Sequence, residues 1–178
     1  MTMGFDKYHR DDLKTCMDKR RLIAEFIKII EIDLALAIQA QKTTVEYATG
    51  EENKAENQYD TRGLEATYLA RGQAERVADL RENLAFFKTT AIKNYHDDMA
   101  IGNCALIEIV NTDIDSDQKT LLMMPKGGGL SLVFENKPVL VVTATSSLGE
   151  ALLGKYVGDE VKYTSGSKTW EYEIITVK

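Results

Sequence analysis

The chain has 178 residues, 44% of them hydrophobic, which is enough for one ordinary domain or two small ones with a real core. Its 22 Lys and Arg residues are outweighed by 28 Asp and Glu residues, giving a formal net charge of −6. Tight autonomous binding to a DNA or RNA backbone needs clustered positive charge, so this balance argues against it. We therefore expect any nucleic acid on which the protein acts to be held by something else.

The chain shows no sign of a disulfide framework, a zinc site, a signal peptide or a membrane span. Cys16 and Cys104 lie far apart, and neither has a second Cys or a His at ligand spacing. The N-terminal residues 1–21 are charged throughout and lack the apolar core of a signal peptide. Charged side chains interrupt the longest apolar region, residues 22–38. These features predict a cytoplasmic protein.

A long first helix is predicted from about residue 13 to residue 47, where apolar residues recur mostly three or four positions apart. The chain has no proline before Pro125, which permits long helices. A second apolar row, formed by Leu22, Ile29 and Leu36, lies beside the first. Because one partner helix cannot cover both rows, we expect a further packing partner, for which the C-terminal part of the chain is a candidate.

A second helix is predicted from about residue 59 to residue 95, where small and then bulky residues form a heptad seam. The seam consists of Gly63, Ala66, Ala70, Gln73, Val77, Leu80, Leu84, Phe87 and Ala91. Thr49 and Gly50 form a plausible end of the first helix, so the two helices should fold back as an antiparallel coiled-coil hairpin. At about 1.5 Å per residue, the hairpin would be a rod on the order of 50 Å long.

The tip of this hairpin, near residues 49–60, is rich in carboxylates. The sequence from residue 50 to residue 62, GEENKAENQYDTR, contains four of them in a place where nothing can be buried. Exposed turns between helices are commonly charged, so a solvated turn is the simplest interpretation from these residues alone.

After residue 97 the pattern changes to period two and to β-forming residues. Strands are predicted at residues 103–110, 119–124, 138–145, 159–164 and 169–178. A short helix is predicted at residues 146–154, with Ser146 or Ser147 as its N-cap and Gly154 as its stop. Residues 125–138, with three consecutive glycines, are expected to form a flexible loop. The predicted division is therefore a helical hairpin at residues 1–97 and a compact mixed sheet with one helix at residues 98–178.

The C-terminal sequence resembles a known family. Residues 146–178, SSLGEALLGKYVGDEVKYTSGSKTWEYEIITVK, are similar to the end of the bacterial Gre transcript-cleavage factors. That end usually reads as a Ser-Pro-Leu-Gly-like turn, an ALLGK helix, GDEV and a closing EYEI strand. IGNCALIEI, at residues 101–109, resembles the family's first strand, and the upstream coiled coil has the expected length. The resemblance implies an α+β protein with an N-terminal antiparallel coiled-coil hairpin and a C-terminal FKBP-like domain.

The resemblance also implies a function. In the Gre family the globular domain docks at the rim of the secondary channel of RNA polymerase, and the hairpin enters that channel. Carboxylates at the tip then help the polymerase to hydrolyse backtracked RNA with Mg²⁺ in the polymerase active centre. The expected partner is therefore bacterial RNA polymerase, with nascent RNA contacted indirectly. We expect no stably bound cofactor, no active site of the chain's own and no membrane contact.

The family tip usually reads Asp-x-x-Glu-Asn, and its nearest match here is residues 53–57. Glu56 and Asn57 match the family pattern, whereas Asn53 stands at the acidic position. The resemblance thus makes Glu56 the predicted Mg²⁺ ligand, because hard oxygen ligands suit that ion. Three further carboxylates are close enough in sequence to supply the missing oxygen: Glu51, Glu52 and Asp60.

The resemblance places the contact with polymerase in the turn and helix at residues 146–155. The predicted contact residues are Ser146, Ser147, Leu148, Gly149, Leu152, Gly154 and Lys155. The glycines at positions 149 and 154 would allow close approach of a partner backbone.

Two other functions stay open at this point. Because Asn53 departs from the family pattern, the protein could occupy the secondary channel as a regulator or inhibitor without stimulating cleavage. An FKBP-like fold also allows a prolyl isomerase or chaperone with the coiled coil as a clamp or dimerisation arm, since a fold does not fix a function.

Overall fold

The structure is a computed structural model and describes residues 17–49, 62–114 and 116–178. Two long helices precede a six-stranded mixed sheet, and a short helix follows the fourth strand. The elements are α1 (Lys19–Thr49), α2 (Arg62–Thr89), β1 (Leu106–Asn111), β2 (Gln118–Met123), β3 (Ser131–Phe134), β4 (Lys137–Val142), α3 (Ser147–Leu152), β5 (Glu160–Ser165) and β6 (Lys168–Val177).

The two long helices pack against each other as an antiparallel pair, which confirms the predicted hairpin. Near its base, the ring centroids of Phe26 and Phe87 are 5.7 Å apart. α1 begins at Lys19, later than predicted, because Asp18 caps it by accepting a hydrogen bond of 2.9 Å from the backbone N–H of Arg20. α2 ends at Thr89, before the predicted residue 95.

The predicted seam of α2 is confirmed towards the base of the hairpin. Val77, Leu80 and Phe87 are buried, and Leu84 is partly buried against the same cluster. Ala91 was assigned wrongly to the seam: it lies beyond the end of α2 and is exposed. The seam therefore ends with Phe87.

The sheet has the order β3-β4-β2-β1-β6-β5, and all neighbouring strands are antiparallel except the parallel pair β2 and β4. All five predicted strands are present. The prediction of a simple loop at residues 125–138 is wrong, because this segment contains the edge strand β3. Glu135 and Asn136, both with positive φ, form the two-residue turn that pairs β3 with β4.

The sheet has one apolar core on each face. On one face, α1 and α2 pack on residues of β1, β2 and β4 in a single cluster that includes Leu22, Phe26, Leu106 and Val139. On the other face, α3 packs on Ile107, Leu121 and other residues of a second cluster. The sheet domain is thus the expected further partner of α1, although Leu36 in the second apolar row stays 65% exposed.

Across the described ranges, every helix is too short or too polar to cross a membrane.

Candidate partner-binding site

The turn before α3 is organised by Ser146. Its Oγ accepts a hydrogen bond of 3.1 Å from the N–H of Gly149 and donates one of 2.8 Å to the carbonyl oxygen of Thr143. Ser146 is therefore the N-cap of α3, which settles the choice between the two serines. The cap fixes the direction in which α3 leaves β4.

Gly149 is required by close approach of the chain's own backbone. A Cβ added at this position would lie 1.9 Å from the carbonyl oxygen of Thr143, so no other residue fits without a shift of the backbone. Gly154 adopts a φ of +79°, and its N–H donates a hydrogen bond of 2.9 Å to the carbonyl oxygen of Ile101. Both glycines thus have local roles in holding α3 on the sheet.

Leu148 and Leu152 are largely withdrawn from any partner: Leu152 is not a contact residue, and Leu148 presents only a small exposed fraction. They are 8% and 0% exposed, and both belong to the core beneath α3. A six-residue helix lying on a sheet has one apolar face, and here that face is turned inward. The exposed side chains of this segment include Ser147, Leu153 and Lys155.

Ser146 and Ser147 also line an open cavity of about 470 Å³ between α3 and the sheet. We call this cavity the concave groove. Its apolar lining includes Leu140, Val142 and Leu148, and hydroxyl groups come from Thr143, Thr145 and the two serines. The remaining lining residues are Gly128, Gly129, Val141 and Tyr163. A concave surface of this kind, apolar with a few convergent polar groups, is typical of a binding site.

Beside Tyr163 lies a cluster of aromatic and charged side chains. The rings of Tyr163 and Tyr172 stack at 6.0 Å, and the hydroxyl of Tyr172 donates a hydrogen bond of 2.6 Å to Asp117. The ammonium of Lys119 is hydrogen-bonded to the Tyr172 hydroxyl and lies 5.4 Å from the ring centroid of Trp170. These contacts connect β5 and β6 with β2, across the intervening strand β1.

The environment fixes the protonation of this cluster. Burial lowers the pKa of Lys119, but the hydrogen bond with Tyr172 and nearby negative charge outweigh it, so that the pKa is raised overall. Burial, followed by the hydrogen bond to Asp117, raises the pKa of Tyr172. At neutral pH Lys119 is therefore a cation and Tyr172 is a neutral phenol. Tyr172 is buried and Trp170 is half-buried.

The carboxylates predicted at the tip lie outside the described residues, which stop at residue 49 and resume at residue 62. The roles of Glu51, Glu52, Glu56 and Asp60 therefore stay predictions. Counting from Phe26 near the base to Thr49, α1 extends about 35 Å along its axis. Within the described ranges, no group of three or more His, Cys, Asp or Glu side chains is placed to hold a metal ion.

Comparison with known proteins gives concordant results for the C-terminal half. Residues 105–178 match the sequence model of a family described as "Transcription elongation factor, GreA/GreB, C-term". Over 141 residues the chain is 27% identical to the transcription elongation factor GreA of Syntrophus aciditrophicus (strain SB), covering 79% of this chain and 80% of that protein. The family match begins just before β1, so it includes the whole sheet and α3.

Two solved structures share weaker similarity. The transcription factor Gfh1 is 13% identical, with a TM-score of 0.37, over 85% of this chain and 92% of that one. The GreA factor homolog 1 (Gfh1) of Thermus thermophilus is 17% identical, with a TM-score of 0.35, over 90% and 94% of the two chains.

Proposed function

We propose that this chain, a divergent Gre-like protein whose residues 105–178 form the GreA/GreB C-terminal domain, is a transcription elongation factor that binds bacterial RNA polymerase. The family match over the whole sheet domain is the observation that carries the proposal. The hairpin supports it, because it gives that domain an arm long enough to act at a distance from its own docking site. In this account the protein modulates the hydrolytic activity of polymerase and has no active site of its own.

The concave groove is the proposed docking surface at the rim of the secondary channel. It includes Ser146 and Ser147 from the predicted contact segment, and its apolar lining can be covered by a partner. Leu148 contributes to this lining from a largely buried position, whereas Leu152 is fully buried. The docking residues we propose are therefore the two serines together with Leu140 and Tyr163.

Replacing Ser147 with arginine tests this surface. Ser147 is exposed and begins α3, so the new side chain should obstruct the groove without disturbing the core. We expect the affinity for purified bacterial RNA polymerase to fall about tenfold or more, as for a blocked interface centre. Binding is measured by retention on immobilised polymerase and by titration.

Leu153→Arg is the matched control, because Leu153 is 48% exposed at the opposite end of α3 and does not line the groove. It should bind polymerase as the wild type does. Undiminished binding by Ser147→Arg would refute docking at the groove, and failure of the wild type to bind polymerase would refute the proposed function.

The hairpin is proposed to deliver its tip to the polymerase active centre through the secondary channel. There Glu56 would provide an oxygen ligand for Mg²⁺, with Glu51, Glu52 or Asp60 nearby. Outside polymerase the tip should bind Mg²⁺ weakly, since this ion gives up its waters reluctantly and a few exposed carboxylates form no cage.

The residue at position 53 is proposed to determine whether the protein stimulates RNA cleavage or only occupies the channel. Asn53→Asp restores the acidic residue that the Gre pattern has at this position, and it should increase RNA cleavage by stalled polymerase complexes. Activity of this variant alone, with none from the wild type, would favour the second candidate function, a channel-occupying regulator. No gain over an active wild type would show that Asn53 does not limit cleavage.

A further inference from the structure

A charged side chain is buried where the hairpin meets the sheet domain. Lys19, the first residue of α1, is only 7% exposed. Among the described residues it is the one buried charged side chain, and the buried uncharged polar side chains are those of Asn111 and Thr120. Lysine is almost never fully buried unless its ammonium has partners, so its contacts need an explanation.

The partners of Lys19 lie towards the two ends of the segment that joins α2 to β1. Its ammonium donates hydrogen bonds to the carbonyl oxygen of Lys93, after α2, and to that of Cys104, just before β1, the latter at 3.2 Å. It also lies 5.3 Å from the ring centroid of Tyr95. Cys104 has a φ of +63°, a conformation uncommon for a residue other than glycine. Lys19 therefore joins the start of α1, the connecting segment and the entrance to the sheet at one point.

The segment around this point is itself held tightly. The Tyr95 hydroxyl donates a hydrogen bond of 2.8 Å to the carbonyl oxygen of Asn103. A Cβ added to Gly102 would lie 2.9 Å from that hydroxyl, so this glycine leaves room for Tyr95. These contacts hold the backbone next to the Cys104 carbonyl oxygen, one of the acceptors of the Lys19 ammonium, in a fixed position.

The other contacts between the hairpin and the sheet domain constrain direction less. The salt bridges Arg21–Glu135, at 4.0 Å, and Lys126–Glu82, at 3.2 Å, involve partly or largely exposed side chains. Such pairs contribute little and are screened by salt. The shared apolar core is stabilising but largely non-directional.

We propose that Lys19 is a positioning residue that fixes the direction of the hairpin relative to the sheet domain. A swing of the hairpin about its base would separate the ammonium from one of its carbonyls and leave buried polar groups unpaired, which strongly disfavours other directions. The importance of this for transcription rests on the proposed function. Thr49, the last described residue of α1, lies about 35 Å along the helix from Phe26, so a swing of about 10° would move it by about 6 Å, further than the reach of a metal ligand.

Distances between spin labels test the positioning role directly. Labels at Ala74→Cys on α2 and Ser165→Cys on β5, both exposed, report the direction of the hairpin in a chain with Cys16→Ser. We expect Lys19→Met to broaden the distance distribution about twofold, because more than one direction becomes populated. Lys28→Met is the matched control: Lys28 is exposed on the same helix and pairs at 2.7 Å with Glu25 within it, so the distribution should not change.

A measurement on the wild type covers the case in which Lys19→Met does not fold. In spectra of protein with ¹⁵N-labelled lysine, the ammonium hydrogens of Lys19 should exchange with water about tenfold more slowly than those of Lys28, because they are buried and hydrogen-bonded. Equal exchange rates, or a folded Lys19→Met variant with the wild-type distance distribution, would overturn the proposal. Neither readout involves polymerase, so a failure of the proposed function would be recognised separately.

Discussion

Replacing Phe87 with alanine is expected to lower the free energy of unfolding by about 3–5 kcal/mol, as large aromatic truncations in cores do. Phe87 is 1% exposed and lies in the core that α1 and α2 share with the sheet. It contacts Phe26, and a Cβ added to Gly127 would lie 2.9 Å from its ring. Because the residue packs on both the other helix and the sheet domain, its loss should loosen both contacts. Urea denaturation measures the effect.

Phe86→Ala is the matched control, since the neighbouring phenylalanine is 36% exposed. It should cost less than about 1.5 kcal/mol. Leu84→Ala should fall between the two, because Leu84 is only partly buried although it occupies a seam position. Equal losses for Phe87→Ala and Phe86→Ala would show that the hairpin and the sheet domain do not share this core in solution.

Gly149→Ala is the second substitution with a large expected effect. The added methyl group would collide with the Thr143 carbonyl oxygen at 1.9 Å, and this oxygen also accepts the hydrogen bond of the Ser146 cap. Relief of the collision must move α3 away from β4, so we expect a loss of about 3 kcal/mol and a weaker affinity for polymerase. Thermal unfolding followed by circular dichroism measures the stability.

Gly72→Ala provides the control within the same chain. Gly72 lies inside α2, and a Cβ added there would have nothing within 4 Å. Alanine should therefore stabilise the protein by about 0.5–1 kcal/mol through its better helix propensity. If Gly149→Ala left stability unchanged, the tight turn between β4 and α3 would be wrong.

Most of the fold was predictable because its signals are periodic. The three-and-four spacing of Val77, Leu80 and Leu84 marks a helix that packs along one side, and the two apolar rows of α1 required a second partner. Strand β3 escaped prediction because it is a short edge strand between turn residues, with Val133 74% exposed. A strand of one serine followed by three apolar residues is too short to show an alternating pattern in the sequence.

The candidate site was less predictable, because it depends on residues that meet only in three dimensions. The concave groove combines Gly128, Leu140 and Tyr163 with the serines of α3, and no local pattern links them. The inward direction of Leu148 and Leu152 was nevertheless readable, since residues four apart on a short helix share its apolar face.

Lys19 could not have been recognised from sequence. A lysine at the start of a helix is normally interpreted as a solvated surface residue, and nothing local distinguishes this one. Its burial arises only when the segment at residues 93–104 closes over it. The burial of a single charged residue depends on contacts that form only in the folded chain, so a local sequence pattern does not reveal it.

The most direct test of the account is the length of RNA in stalled, backtracked complexes of bacterial RNA polymerase. The wild type and Glu56→Gln are compared in the presence of Mg²⁺ and at equal occupancy of polymerase. Glu56→Gln keeps the size of the side chain and removes its charge, so it should bind polymerase as the wild type does. We expect the wild type to shorten the RNA and Glu56→Gln to leave it intact. Shortening that persists with Glu56→Gln would contradict the metal-ligand role of the tip, and intact RNA in complexes occupied by the wild type would contradict stimulation of cleavage.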